Sequence, residues 1–166
     1  MILIITTHSD ALSYHEFVAP YTHHFKTHHI THYTTPVDLS NITGIIITGN
    51  ALQDNAHLQH NAHWIWNAHI PIIAICAGAQ LYVRDHHIPI IPKTRIGMHT
   101  IHHKNTTFEA YMLHNNTLEL HQHILMTVNN EPVAWQIDNI TLIMFHPEVR
   151  NMQLIDDFLA QTPKSI

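Results

Sequence analysis

The chain has 166 residues, 45% of them hydrophobic, which suits a substantial core and one domain spanning 1–166. Only 11% are charged and the formal net charge is −5 with histidine neutral, so no basic surface points to a nucleic-acid partner. The single cysteine, Cys76, excludes an intramolecular disulfide, and no stretch approaches the ~20 apolar residues of a membrane span.

In chain order, residues 2–6 are a continuous Ile-rich run, the pattern of a strand buried on both faces. The run follows no basic residues and is short for a signal peptide, so a reducing cytoplasm is the expected location. Ser9 or Asp10 is placed to cap a helix over 10–17, and a second strand is expected at 29–33. Residues 44–49 form another apolar strand ended by Gly49. Residues 52–69 lack Gly and Pro and read as a helix. Residues 70–75 are the next buried strand, with Pro71 at its start where proline is tolerated. Residues 77–84 read as helix, and 152–159 as a closing one. Between 88 and 145 lie several short β-like runs with Asn-rich turns at Asn115-Asn116 and Asn129-Asn130. This order predicts an α/β, flavodoxin-like fold: a largely parallel sheet flanked by helices, with a small antiparallel element in the C-terminal half. Only four glycines occur, so each is expected at a backbone position that needs one.

The segment Ala74-Ile75-Cys76-Ala77-Gly78 runs a buried strand straight into the cysteine, with a helix beginning after it. This is the layout of a nucleophile elbow, whose crowded turn requires small residues two before and two after the nucleophile. The helix N-terminus would favour a thiolate, and the Ala77 N–H would face a developing oxyanion. The alternative is a buried cysteine acting as a small hydrophobe. A second apolar run ends in Phe145-His146-Pro147-Glu148. In an extended segment residues two apart share a side. Glu148 could then hold one ring nitrogen of His146 and leave the other for a thiol, the base-plus-orienter arrangement of a triad. The alternative is a strand end followed by a solvated turn.

Together these segments resemble the class I glutamine amidotransferases, in their GMP-synthase-like branch. That family carries a Gly-x-Cys-x-Gly-x-Gln elbow, matched by Ala74 to Gln80, and a late Phe-His-Pro-Glu, matched at 145–148. Its Trp-His-Gly-Asp-Thr-Phe-Glu-Leu stretch is similar to Leu113-His114-Asn115-Asn116-Thr117-Leu118-Glu119-Leu120. Its Glu-x-Gly-Trp turn is similar to Arg95-Ile96-Gly97-Met98, and its Ser-Gly-Gly-Pro to Thr48-Gly49-Asn50-Ala51. The resemblance implies Cys76, His146 and Glu148 as catalytic triad and a γ-glutamyl thioester on Cys76. It implies N–H groups of Ala77 and of Asn50 or Gly49 as oxyanion hole, and Gln80, Leu113 and His114 as the substrate-binding wall. It implies no cofactor, glutamine or another γ-glutamyl compound as substrate, and a synthetase subunit that receives ammonia. The departures are Ala74 for the first elbow Gly, Asn50-Ala51 for Gly-Pro, and Asn115-Asn116 for Gly-Asp. With the same triad, a γ-glutamyl hydrolase is the alternative enzyme, and a non-catalytic binding relative is the alternative of another class.

Twenty histidines stand against seven Lys and Arg, so the surface charge is expected to change sign on mild acidification. His57, His60 and His63 recur every three residues, but no carboxylate or Cys joins them, and no dedicated metal site is expected. Trp64 and Trp66 read as core or interface residues.

Overall fold

A computed structural model describes residues 1–160 of the chain. Among these, nine strands form one sheet in the order β2-β1-β3-β4-β9-β8-β7-β5-β6. The first five in that order run parallel: β2 (His28–His32), β1 (Ile2–Thr6), β3 (Gly44–Ile47), β4 (Ile72–Ile75) and β9 (Ile140–Ile143). The Ile-rich runs form the centre because strands covered on both faces have no solvent side to show. Every residue of β3, β4 and β9 is buried. Each fully buried isoleucine there contributes about 1.5–3 kcal/mol relative to exposure.

β9 joins the two halves of the sheet, parallel to β4 and antiparallel to β8 (Glu131–Ile137). β8 forms a two-residue hairpin with β7 (Ile124–Val128) around Asn129-Asn130, both at positive φ, the backbone that favours asparagine in such turns. β5 (Ile90–His103) and β6 (Thr106–Leu118) form a long antiparallel hairpin. Here two expectations are corrected. Asn115-Asn116 is no turn but lies within β6, and Gly97 is no turn but a strand position, at φ +101, that suits glycine.

The helices are α1 (Ser13–Phe17), α2 (Ala19–His24), α3 (His63–Trp66), α4 (Ala77–Asp85), α5 (Pro147–Arg150) and α6 (Met152–Leu159). α4 and α6 pack against β4. The expected helix over 10–17 starts late, at Ser13, and its N-cap is Leu12 rather than Ser9 or Asp10. The expected helix over 52–69 is replaced by a 3₁₀ turn at Ala56–Leu58, the short α3, and loops. Long-range side-chain bonds hold this segment instead. Asp54 accepts from Ser9 and from the Ala56 N–H. Asp85 accepts from the Ala62 N–H and the Trp66 indole, and Trp64 donates to the Tyr33 carbonyl. Both tryptophans are therefore anchored packing residues. Among the described residues no helix is long and apolar enough to cross a membrane.

Candidate active site

Three strand ends converge. β3 runs into Gly49-Asn50, β4 into Cys76, and β9 into His146. In an open α/β sheet the carboxyl ends of the parallel strands are where ligands bind.

Cys76 sits between β4 and α4 at φ 49, ψ −101, a left-handed conformation that costs a non-glycine residue about 1–3 kcal/mol. Its N–H donates to the Ile143 carbonyl at 2.7 Å, which ties the bend to β9. The turn brings α4 hard against β3. A Cβ on Gly78 would lie 2.8 Å from the Ile47 carbonyl oxygen, so only glycine fits two residues after the cysteine. Ala74, fully buried two residues before it, is accommodated. Cys76 is 5% exposed and opens on the cleft described below.

His146 Nδ1 lies 2.7 Å from Glu148 Oε1, and the two side chains are 1% and 2% exposed. The route to this contact differs from the extended one expected. His146 is the N-cap residue of α5 and Pro147 its first residue, so Glu148 folds back within the first helical turn. Glu148 Oε2 accepts from the Tyr21 hydroxyl at 2.7 Å. Burial, reinforced by the Glu148 charge, pushes the Tyr21 pKa well above its ordinary value, so the phenol remains a donor. Burial alone would lower the His146 pKa. The Glu148 charge and the nearby Cys76 outweigh it, and the imidazolium is held well above its ordinary range.

The remaining ring nitrogen, His146 Nε2, is buried and among the described residues makes no hydrogen bond of acceptable geometry. The Cys76 thiol is close enough to influence the ring, but Sγ donates to the Leu113 carbonyl at 3.5 Å. Gly49 lies between the two. A Cβ there would be 2.7 Å from His146 Cε1 and 3.5 Å from Cys76 Cβ. The Gly49 carbonyl accepts from Thr7 Oγ1 at 3.3 Å. In a planar trans peptide this turns the Asn50 N–H away from Thr7, and among the described residues no backbone carbonyl takes it. The Ala77 N–H opens α4 and has no intrahelical acceptor.

Cys76 and Asn50 open on a solvent-open cleft of ≈ 260 Å³, lined also by His57, Gln80, Leu113 and His114. His114 is buried. Its Nδ1 donates to the Met144 carbonyl at 3.0 Å, and its Nε2 is unpartnered. Burial is the main reason its pKa falls to about 4, so it is neutral. Of the residues that the resemblance singled out, Asn50, Cys76, Gln80, Leu113 and His114 line this cleft. Gly49 packs against His146 and Cys76, Glu148 is bonded to His146, and Ala77 opens α4. Sequence reasoning missed two side chains. Tyr21 carried no signal, because its role depends on a contact 127 residues away. His57 was hidden in a periodic trio that the fold breaks up, for His57 is buried while His60 and His63 are exposed. Among the described residues no group of three or more His, Cys, Asp or Glu is arranged to hold a metal.

Residues 9–161 match the class-I glutamine amidotransferase family. The chain is 30% identical over 148 residues to the glutamine-hydrolysing GMP synthase of Petrotoga mobilis, a match covering 78% of this chain and 29% of that protein. It thus spans less than a third of that relative's length. Among solved structures, a GMP synthase subunit protein from Thermoplasma acidophilum superposes with a TM-score of 0.75 at 15% identity, covering 96% of this chain and 92% of that one. A glutamine amidotransferase from Thermotoga maritima superposes at 0.66 with 14% identity, covering 95% and 82%. At such identities the likeness concerns the fold: the expected largely parallel α/β sheet with antiparallel strands.

Proposed function

Because the chain belongs to the class-I glutamine amidotransferase family, we propose that residues 1–166 form one domain that hydrolyses the side-chain amide of glutamine and delivers the ammonia to an acceptor. The observation that carries the catalytic part is the buried His146–Glu148 pair, 2.7 Å apart, beside a thiol at a left-handed strand-to-helix bend.

In this reading Cys76 is the nucleophile. While it is a thiol, Sγ donates to the Leu113 carbonyl. The raised pKa of His146 favours the form in which the proton shared by Cys76 and His146 sits on Nε2 and the sulfur is a thiolate; this form lacks that donor and sets a negative sulfur against a carbonyl oxygen. The sulfur is then driven off Leu113 and attracted to the imidazolium and to the N-terminus of α4. Sγ attacks the amide carbon, and the oxyanion is held by the N–H groups of Asn50 and Ala77, with Gly49 shaping the loop. His146 returns its proton to the departing nitrogen, the C–N bond breaks, and ammonia leaves a γ-glutamyl thioester. Water then attacks the thioester, its proton passes to His146, and the C–S bond breaks to release glutamate and regenerate the thiol. Glu148 holds the imidazole in its working tautomer throughout. Gln80, Leu113 and His114 bind the substrate.

The ammonia acceptor is proposed to be a synthetase subunit or domain. Support comes from the matched relative, a GMP synthase of which this chain spans only 29%. Unprotonated ammonia is the nucleophile such a partner needs, so a protected path between the sites is expected. A reducing cytoplasm suits a free catalytic thiol.

The test is glutamate release from glutamine by the wild-type protein and by Cys76→Ala. Turnover that depends on Cys76 supports the proposal. Release from γ-glutamyl peptides but not from glutamine would replace it with a γ-glutamyl hydrolase. If neither substrate reacts and no γ-glutamyl electrophile labels Cys76, the chain is a binding relative.

A further inference from the structure

Behind the proposed substrate-binding Gln80 the cleft holds a hydrogen-bond relay through His57, a residue to which the reaction above gives no role. Asn50 Nδ2 lies 3.2 Å from His57 Nδ1, and His57 Nε2 lies 2.9 Å from Gln80 Oε1. Gln80 Nε2 in turn donates to the Asn116 carbonyl at 3.3 Å. Asn50 Nδ2 also donates to the Asp54 carbonyl at 3.0 Å. The relay thereby links the loop after β3, the first turns of α4 and the wall formed by β6.

Donor and acceptor chemistry fixes its direction. An amide nitrogen only donates, so His57 Nδ1 must accept from Asn50. A neutral imidazole that accepts at Nδ1 carries its proton on Nε2, which donates to Gln80 Oε1. The Gln80 amide is thus locked in one of its two orientations, since a flip would set its NH₂ against the His57 N–H. His57 is 1% exposed, so water offers no substitute partner. One N–H of the Gln80 amide is committed to Asn116, and among the described residues the second has no acceptor.

Building on the amide-hydrolase reading, we propose that His57 is a positioning residue, which fixes the Gln80 amide so that its second N–H meets an acceptor oxygen of the bound glutamine. Its neutral state is essential to this role. Protonated His57 would carry N–H at both nitrogens and present one of them to the Asn50 amide nitrogen. The titratable groups around it are Asp54 on its own loop, Arg84 on α4, and Cys76 and His114 across the cleft. Burial lowers its pKa, and the hydrogen bond to Gln80 and the charge of Asp54 only partly offset this.

The experiment measures KM and kcat for glutamine hydrolysis in wild type, His57→Leu and His57→Gln from about pH 5 to about pH 8, the span in which histidines titrate. Glutamine at position 57 can accept from Asn50 and donate to Gln80 without titrating; leucine can do neither. His57→Leu should raise KM roughly tenfold, the loss expected for one unsatisfied buried hydrogen bond, with a smaller change in kcat. His57→Gln should recover KM, and should lack the acid-side rise in KM expected of wild type. An unchanged KM in His57→Leu, equal defects in both variants, or identical acid profiles for wild type and His57→Gln would overturn the proposal. If His57→Leu does not fold, as judged by circular dichroism, the acid profiles of the other two decide. If wild type shows no Cys76-dependent hydrolysis, the preceding function fails instead. Calorimetric binding of glutamine to the same three proteins then tests the relay by itself.

Discussion

Replacing Gly49 by alanine adds one methyl group between His146 and Cys76, the proposed base and nucleophile. The new Cβ would stand 2.7 Å from His146 Cε1 and 3.3 Å from its Nδ1. The first distance is about 0.8 Å inside the ~3.5 Å at which two carbons pack best. Gly49 is not at positive φ, so the backbone accepts alanine and the misfit falls on the ring. The ring cannot retreat freely. Glu148 holds it at 2.7 Å, Phe17 packs with its ring centroid 5.5 Å away, and the side chain is 1% exposed. Misplacing a catalytic group by about 1 Å costs on the order of 10²-fold in rate. Gly49→Ala should therefore lose about that factor in kcat/KM for glutamine, while overpacking lowers stability by about 1–3 kcal/mol. Glutamate release gives the first quantity and urea unfolding the second. Activity within about threefold of wild type would mean that the ring position does not govern the rate.

Tyr21→Phe removes only the hydroxyl that donates to Glu148 Oε2 and leaves a buried carboxylate oxygen unpaired. Stability should fall by about 1–3 kcal/mol in urea, together with kcat; loss of stability with kcat intact would deny Tyr21 any part in orienting Glu148. His114 makes folding sensitive to acid. Its folded pKa of about 4 lies below the ordinary 6.5, so its contribution is present above about pH 6.5 and is lost as pH falls through about 4. The shift corresponds to about 3 kcal/mol in full, and His114→Gln should flatten the urea stability profile over that window relative to wild type; parallel profiles would refute it.

Much of this molecule was legible because its central strands are unambiguous. Runs such as 2–6 and 70–75 have no polar face to offer, and their order alone implies parallel pairing. The elbow was legible because Gly78 and Ala74 flank the only cysteine, and the contact of Gly78 with Ile47 gives the reason for that spacing. The segment 52–69 was misread because the absence of Gly and Pro says nothing about side-chain competition. Asp54, Asp85, Trp64 and Trp66 make bonds to distant partners that override helical periodicity. The His146–Glu148 pair was expected from extended geometry, whereas the chain turns into α5 at Pro147; the contact survives because His146, at φ −107 and ψ 89, is itself outside the helix, so Glu148 reaches back to its ring. His57 and Tyr21 were illegible because what matters about them is who meets them in space.

The insertion of β9 between β4 and β8 has a consequence for how the chain becomes competent. Sulfur and imidazole are supplied by neighbouring strands that are far apart in sequence, and the later of the two also closes the seam between the parallel and antiparallel halves. Pairings of such separation are entropically slow to form. Until that seam closes, a nascent or partly folded chain carries an ordinary cysteine with no base beside it. In the proposed mechanism the thiol therefore gains its base only once β9 has paired with β4, so turnover would report that this seam is closed.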